Sequence, residues 1–177
     1  MRISSFLIGL FLVSVLPAGP SFSSQPAASH AAHGTTPYSD RAFLSAMIVH
    51  HEDAVAMAQK TLQAKPKDPD VASWCQAVIE TQTPEIILMR KLLEPMGGVD
   101  KEAADRELAN AMQHSMSGSD GKTFVSAMLM HHKAALDMAA EALLRSDNPE
   151  VILLAEAIIT AQAREMREFK TWLRVHR

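Results

Sequence analysis

Phe43-Leu44-Ser45-Ala46-Met47-Ile48-Val49-His50-His51 returns almost unchanged as Phe124-Val125-Ser126-Ala127-Met128-Leu129-Met130-His131-His132. Each copy is followed by a methionine at the same distance, Met57 in the first and Met138 in the second. Phe43, Met47, His50, Ala54 and Met57 fall on one stripe at heptad spacing, and Phe124, Met128, His131, Ala135 and Met138 repeat it. A neighbouring stripe (Leu44, Ile48, His51 and Val55; then Val125, Leu129, His132 and Leu136) widens the apolar face. This periodicity predicts two amphipathic helices with both histidines of each pair on the inward side.

Working outward, Ser39 suits an N-cap and Asp40 the first turn of the helix that carries the first copy. That helix is expected to run to about Ala64, where Lys65-Pro66-Lys67 stops it. Asp68-Pro69-Asp70 then reads as cap, proline at the first helical position and an acid beside the positive dipole end. The second helix reaches about Glu94, and Pro84 inside it is expected to kink it. Residues 100–112 suit a short connecting helix and 115–121 a loop. A third long helix follows over 120–144, and Asp147-Asn148-Pro149-Glu150 repeats the cap before a fourth that ends near Arg174.

No segment carries a strand pattern, so the chain is all-α. Helices of roughly 25 residues are about 37 Å long. One hairpin alone cannot cover its apolar face. The repeats, about 40–95 and 120–174, should therefore pair about a pseudo-twofold into a four-helix bundle within a domain of residues 39–177.

The N-terminus reads as a targeting signal. Arg2 precedes the apolar run Phe6–Leu16, and the small residues Ser21 and Ser23 suit a cleavage site, giving a signal peptide over 1–23. Residues 24–38 form a flexible tail of Ser, Ala, Pro, Gln and His. The mature protein is expected to be periplasmic or secreted, with no membrane span after signal removal. Cys75 is the single cysteine, so no internal disulfide forms, and its place on a core stripe suits packing. The net charge of −3 becomes more negative once Arg2 is lost, which excludes nucleic acid as a partner.

Adjacent imidazoles flanked by thioethers, presented twice, suit a soft metal ion. The candidate ligands are His50, His51, His131 and His132, then Met47, Met57, Met128 and Met138. Thioethers favour Cu(I) and imidazoles accept either oxidation state, so copper is the expected ion with its oxidation state open. Eleven methionines against one tyrosine agree with that bias. The partner helices place Gln82 with Glu85 and Gln162 with Glu165 on one face, three residues apart. These would satisfy buried histidine nitrogens, and a metal-free envelope module with a purely structural His/Gln/Glu layer is the alternative. Catalysis is not expected. No acid lies three residues before a helical histidine, as di-iron bundles require, and no Ser or Cys nucleophile motif is present. Two lesser clusters, His30 with His33 and Met112-x-His114-x-Met116, suit solvated segments or capture of Cu(I).

Together these segments resemble the domain of unknown function 305 family, whose signature reads Met-x-x-His-His-x-x-Ala-x-x-Met-Ala. It stands here as Met47 to Ala58 and again as Met128 to Ala139. The family's second element, Ile-x-x-x-Gln-x-x-Glu before a terminal Trp-Leu, stands as Ile158 to Glu165 with Trp172-Leu173, and in shorter form as Ile79 to Ile86. The resemblance covers most of residues 40–173 and implies a ferritin-like four-helix bundle. It also implies copper or silver binding in metal resistance, since some members look like periplasmic binders of those ions. Pro84 and a tail and linker with few methionines and histidines depart from the richest members.

Overall fold

The computed structural model describes residues 38–113, 118 and 120–176. The expected signal peptide, the tail with His30 and His33, and His114 and Met116 lie outside the described residues. Five α-helices make up the rest: α1 (Asp40–Gln63), α2 (Pro69–Leu93), α3 (Lys101–Gln113), α4 (Gly121–Arg145) and α5 (Pro149–Val175). A 3-10 turn, Glu94–Met96, follows α2, and no strand occurs among the described residues.

The caps fall where the side-chain chemistry puts them. Ser39 Oγ accepts from the Ala42 N–H at 3.0 Å, and Asp120 Oδ1 accepts from Thr123 at 3.0 Å. Asp68 and Asn148 cap the two Pro-led helices, accepting from Asp70 at 2.9 Å and Glu150 at 3.0 Å. After α2 the chain reverses through Gly97 and Gly98, both left-handed at φ 87° and 80°, where a side chain would be strained. Arg41 on α1 donates to the carbonyls of Gly98 and Val99, each at 2.9 Å. The Asp100 N–H donates to Ser45 Oγ at 2.8 Å, which pins the start of α3 beside the start of α1.

α2 is helical without a break from 69 to 93, through Pro84, which is exposed. Glu80, whose carbonyl loses its partner four residues on, is exposed as well, and access to water on that face lowers the cost of an interior proline. Pro84→Ala should therefore stabilise by about 1–2 kcal/mol, short of the ~3 kcal/mol of a fully penalised proline. The melting temperature should rise by a few degrees; an unchanged or lower value would show that the proline carries no such penalty in this helix.

The core divides into two apolar clusters. One gathers Phe43, Leu44, Met47 and Ile48 of α1 with Met89 and Leu93 of α2, Ala135 and Ala139 of α4 and Ile158 of α5. The other joins Ala54, Met57 and Ala58 of α1 to Val71, Cys75 and Val78 of α2, Phe124, Val125 and Met128 of α4 and Phe169 of α5. The first half of α1 thus meets the second half of α4, and the reverse holds at the other end. The two helices are antiparallel and cross midway, as a pseudo-twofold requires. α3 is the crossover that carries the chain from the first end back to the second, packed along α1. Gly121 marks a close approach at that second end: a Cβ there would lie 3.0 Å from Val71 Cγ2.

Trp172 and Trp74 fasten the hairpins to each other. Trp172 Nε1–H donates to the α2 cap Asp68 at 3.0 Å, and Trp74 Nε1–H donates to Glu168 on α5 at 3.2 Å. Trp74 also meets the Phe169 ring edge-on at 5.1 Å. Among the described residues no helix is long and apolar enough to cross a membrane.

Candidate metal centre

Between the two apolar clusters lies a polar layer, and the repeat places every member of it. His50 and His51 sit at the middle of α1, and His131 and His132 at the corresponding turn of α4. Three of them are buried, and His131 has 11% of its side chain exposed. Gln82 and Gln162 enter from α2 and α5, both buried.

The second histidine of each pair is held within its own hairpin. His51 Nε2 lies 2.9 Å from Glu85 Oε2, and His132 Nε2 lies 2.5 Å from Glu165 Oε2. A carboxylate can only accept, so each Nε2 carries the proton of its bond and Nδ1 faces away from the carboxylate. A carboxylate behind an imidazole in this way fixes its tautomer and raises its basicity, which is how protein histidines are prepared as metal ligands.

The first histidine of each pair meets its counterpart across the pseudo-twofold. The His50 and His131 ring centroids are 3.7 Å apart, with planes inclined at 42°. Asp53, one turn beyond His50, approaches His131 Nε2 at 3.5 Å. Burial pushes the His50 imidazole down to about 2, and the neighbouring His131, His51 and His132 add to the effect. His131 is lowered as well, mainly by burial, with Asp53 opposing. Both rings are therefore neutral at pH 7, the form that binds a metal ion.

The methionines fall on either side of this layer. Met47 and Met138 belong to one apolar cluster, the second at its margin, and Met57 and Met128 to the other. Met47 and Met128 thus lie about one helical turn before the histidine level, and Met57 and Met138 about two turns beyond it. Eight buried side-chain nitrogen and oxygen atoms have no hydrogen-bond partner among the described residues, and all belong to this layer. They are the Nδ1 of all four histidines, His131 Nε2, Gln82 Oε1 and both amide atoms of Gln162. Buried polar groups are nearly always partnered, and each orphan costs about 1–3 kcal/mol. Neutral imidazole nitrogens and thioethers fit a soft cation and fit poorly the hard oxygen-seeking Mg²⁺ or Ca²⁺. Among the described residues no three His, Cys, Asp or Glu side chains converge as a ready metal cluster, so a site here would combine imidazole with sulfur.

A cavity of about 620 Å³ opens beside the layer between α1, α3 and α4, lined by His50, His131, Asp53, Met57 and Met130 among others. Asp53 and Met130 were not singled out from the sequence. Asp53 had a legible signal, since it shares a helix face with His50 and Met57 through three- and four-residue steps. The role of Met130 depends on where α3 packs, which no local pattern reveals.

The sequence pattern of the family described as Domain of unknown function (DUF305) matches residues 40–123 and again 121–177. No curated protein matches the chain. Among solved structures, CopM in its Cu(I)-bound form is 25% identical with a TM-score of 0.64, spanning 78% of this chain and 97% of that one. CopM in an Ag-bound form is 26% identical with a TM-score of 0.63 over 78% of this chain and 97% of its own. A DUF305 protein from Streptomyces coelicolor shares the fold at 19% identity, with a TM-score of 0.61 over 73% of this chain and 88% of its own.

Proposed function

This chain belongs to the domain of unknown function 305 family, and we propose that it is an exported protein that binds copper, with silver as a chemical surrogate, to sequester or carry the ion. One observation carries the proposal: among the described residues, the unpartnered buried side-chain nitrogens and oxygens are confined to the layer where two histidine pairs meet, with thioethers on both sides. The candidate donors are His50, His51, His131 and His132, with Met47, Met57, Met128 and Met138. Resemblance to the Cu(I)- and Ag-bound forms of CopM supports the same chemistry. Export rests on Arg2 and the apolar run that follows it. We read the protein as a binder and not an enzyme, since the layer offers donors and no evident nucleophile or general base aimed at a substrate.

A second reading is favoured by the His51–Glu85 and His132–Glu165 bonds, which satisfy one nitrogen of each of these two rings without any metal. On that reading the layer only fixes helix register in an envelope interaction module. Titration of the mature protein with Cu(I) under a competing chelator separates the two. The wild type should bind about one equivalent or more, and a variant with all four paired histidines changed to asparagine should lose at least tenfold in affinity. Equal binding by both proteins, or none by either, would leave the structural reading standing.

A further inference from the structure

The four histidines are not equivalent with respect to the outside. His51 and His132 are fully buried, tied to carboxylates, and His132 is further covered by the Phe169 ring at 5.5 Å. His50 and His131 line the cavity between α1, α3 and α4, whereas His51 and His132 do not. Three of the orphaned nitrogens, His50 Nδ1 and both nitrogens of His131, belong to this cavity-lining pair.

The walls of that cavity carry sulfur and three carboxylates, Asp53, Glu107 and Asp137, the last paired with Lys133 at 2.7 Å. Met57 stands one helical turn beyond Asp53 on α1, and Met130 precedes His131 on α4 with 63% of its surface exposed. A smaller groove beside it is lined by Asp53 again, with Glu52 and with Met112 of α3, which is 71% exposed. Asp53 is common to the outer groove and the inner cavity. Exposed thioethers on both flanks, a carboxylate between, and neutral imidazoles at the inner end form a graded path from water to the layer.

We propose that a soft monovalent cation enters through the cavity bounded by α1, α3 and α4 and is held by His50 and His131 with sulfur from Met57 and Met130. His51 and His132 remain bonded to Glu85 and Glu165 and build the layer without binding the ion. Asp53, the cavity carboxylate that lies 3.5 Å from His131, supplies negative charge that favours a cation at this point and releases His131 from its weak contact when the ion arrives. The proposal rests on the metal-binding reading above and narrows it to one pair and one side of the bundle. It also assigns a role to α3: the crossover walls one flank of the path and presents Met112 there.

The test uses Ag(I), which is stable in air, in competition with a chromophoric chelator, on the mature protein and on Met57→Leu, Met130→Leu, His50→Asn and His51→Asn. Met130 is exposed and leucine keeps its volume, so that variant folds, and circular dichroism checks the others. Binding by the wild type, weakened about tenfold or more in Met57→Leu with Met130→Leu and in His50→Asn, and preserved within a few-fold in a folded His51→Asn, is the expected pattern. Wild-type binding that the two methionine changes leave untouched would overturn the cavity site while leaving a histidine-layer site intact. Wild-type affinity lost in folded His51→Asn and retained in His50→Asn would overturn the choice of pair. Absence of silver binding by the wild type would overturn the metal reading itself.

Discussion

The metal-free protein should lose about 2 kcal/mol of stability between pH 7 and pH 5 through His50 alone, with His131 adding in the same direction. His50 titrates near 6.5 when unfolded and is driven down to about 2 in the bundle. The unfolded chain therefore takes up a proton that the folded chain refuses. Stability is full above pH 6.5 and falls as the pH drops through the interval from 6.5 towards 2. Each further unit of acid costs about 1.4 kcal/mol per such group. The rings that face His50 are His131, His51 and His132, all of which disfavour its charge, and Asp53 opposes this only at His131. With a total stability of about 5–15 kcal/mol typical of a domain, acid unfolding should begin well above the pH at which carboxylates protonate. Denaturant melts at pH 7.5, 6 and 5 decide this. A flat response across that range, or one unchanged in His50→Asn, would show that the ring is not a buried neutral base.

Bound copper should move this profile. An ion that binds only the folded layer adds stability by mass action, and protons compete with it for the same nitrogens. The stabilisation by copper should thus be large at pH 7 and small at pH 5. A four-asparagine variant at the paired positions should show neither the acid sensitivity nor the copper shift.

Much of this arrangement was legible in the sequence because a repeat constrains more than any single motif. One copy of Met47 to Met57 suggests only an amphipathic helix. Two copies, each followed by a Pro-led helix with a mid-face glutamine, require two hairpins whose uncovered faces meet. Those faces bring His50 against His131 and put Met47 with Met138 and Met57 with Met128. Glu85 and Glu165 were legible as partners, since three-residue spacing sets each on the face of its glutamine. The position of α3 was not legible. Its short polar pattern buries little besides Ala103, so its docking is set by the Asp100–Ser45 and Arg41 hydrogen bonds, which are contacts between distant segments. The cavity, its Met130 wall and the inequivalence of the two histidines in each pair all follow from that docking. The unbroken course of α2 through Pro84 follows likewise from which face of the helix is wet, a property of the assembled bundle.

Removing the carboxylates behind His51 and His132 should have the second large effect. Glu85→Leu keeps most of the side-chain volume and removes the acceptor, which leaves a fully buried Nε2–H without a partner. The cost of such an orphan is about 1–3 kcal/mol, and more when the lost bond was made to a charge. Glu165→Leu should cost as much or more, since the His132 bond is the shorter of the two, and the double variant should exceed either. Glu85→Gln and Glu165→Gln retain a carbonyl acceptor of the same reach and should recover a large part of the loss. Denaturant midpoints of the metal-free proteins at pH 7 measure all five. Leucine variants as stable as wild type would mean that the two bonds do not hold the layer together. Silver affinity supplies the second readout. If His50 and His131 are the binding pair, the folded leucine variants should bind Ag(I) within a few-fold of wild type even as the bundle weakens. If His51 and His132 were ligands, loss of the carboxylate that orients each ring should cost about 10–100-fold in affinity. Stability and affinity moving together would return all four histidines to the site; stability moving alone leaves one pair to bind the ion and the other to build the frame that presents it.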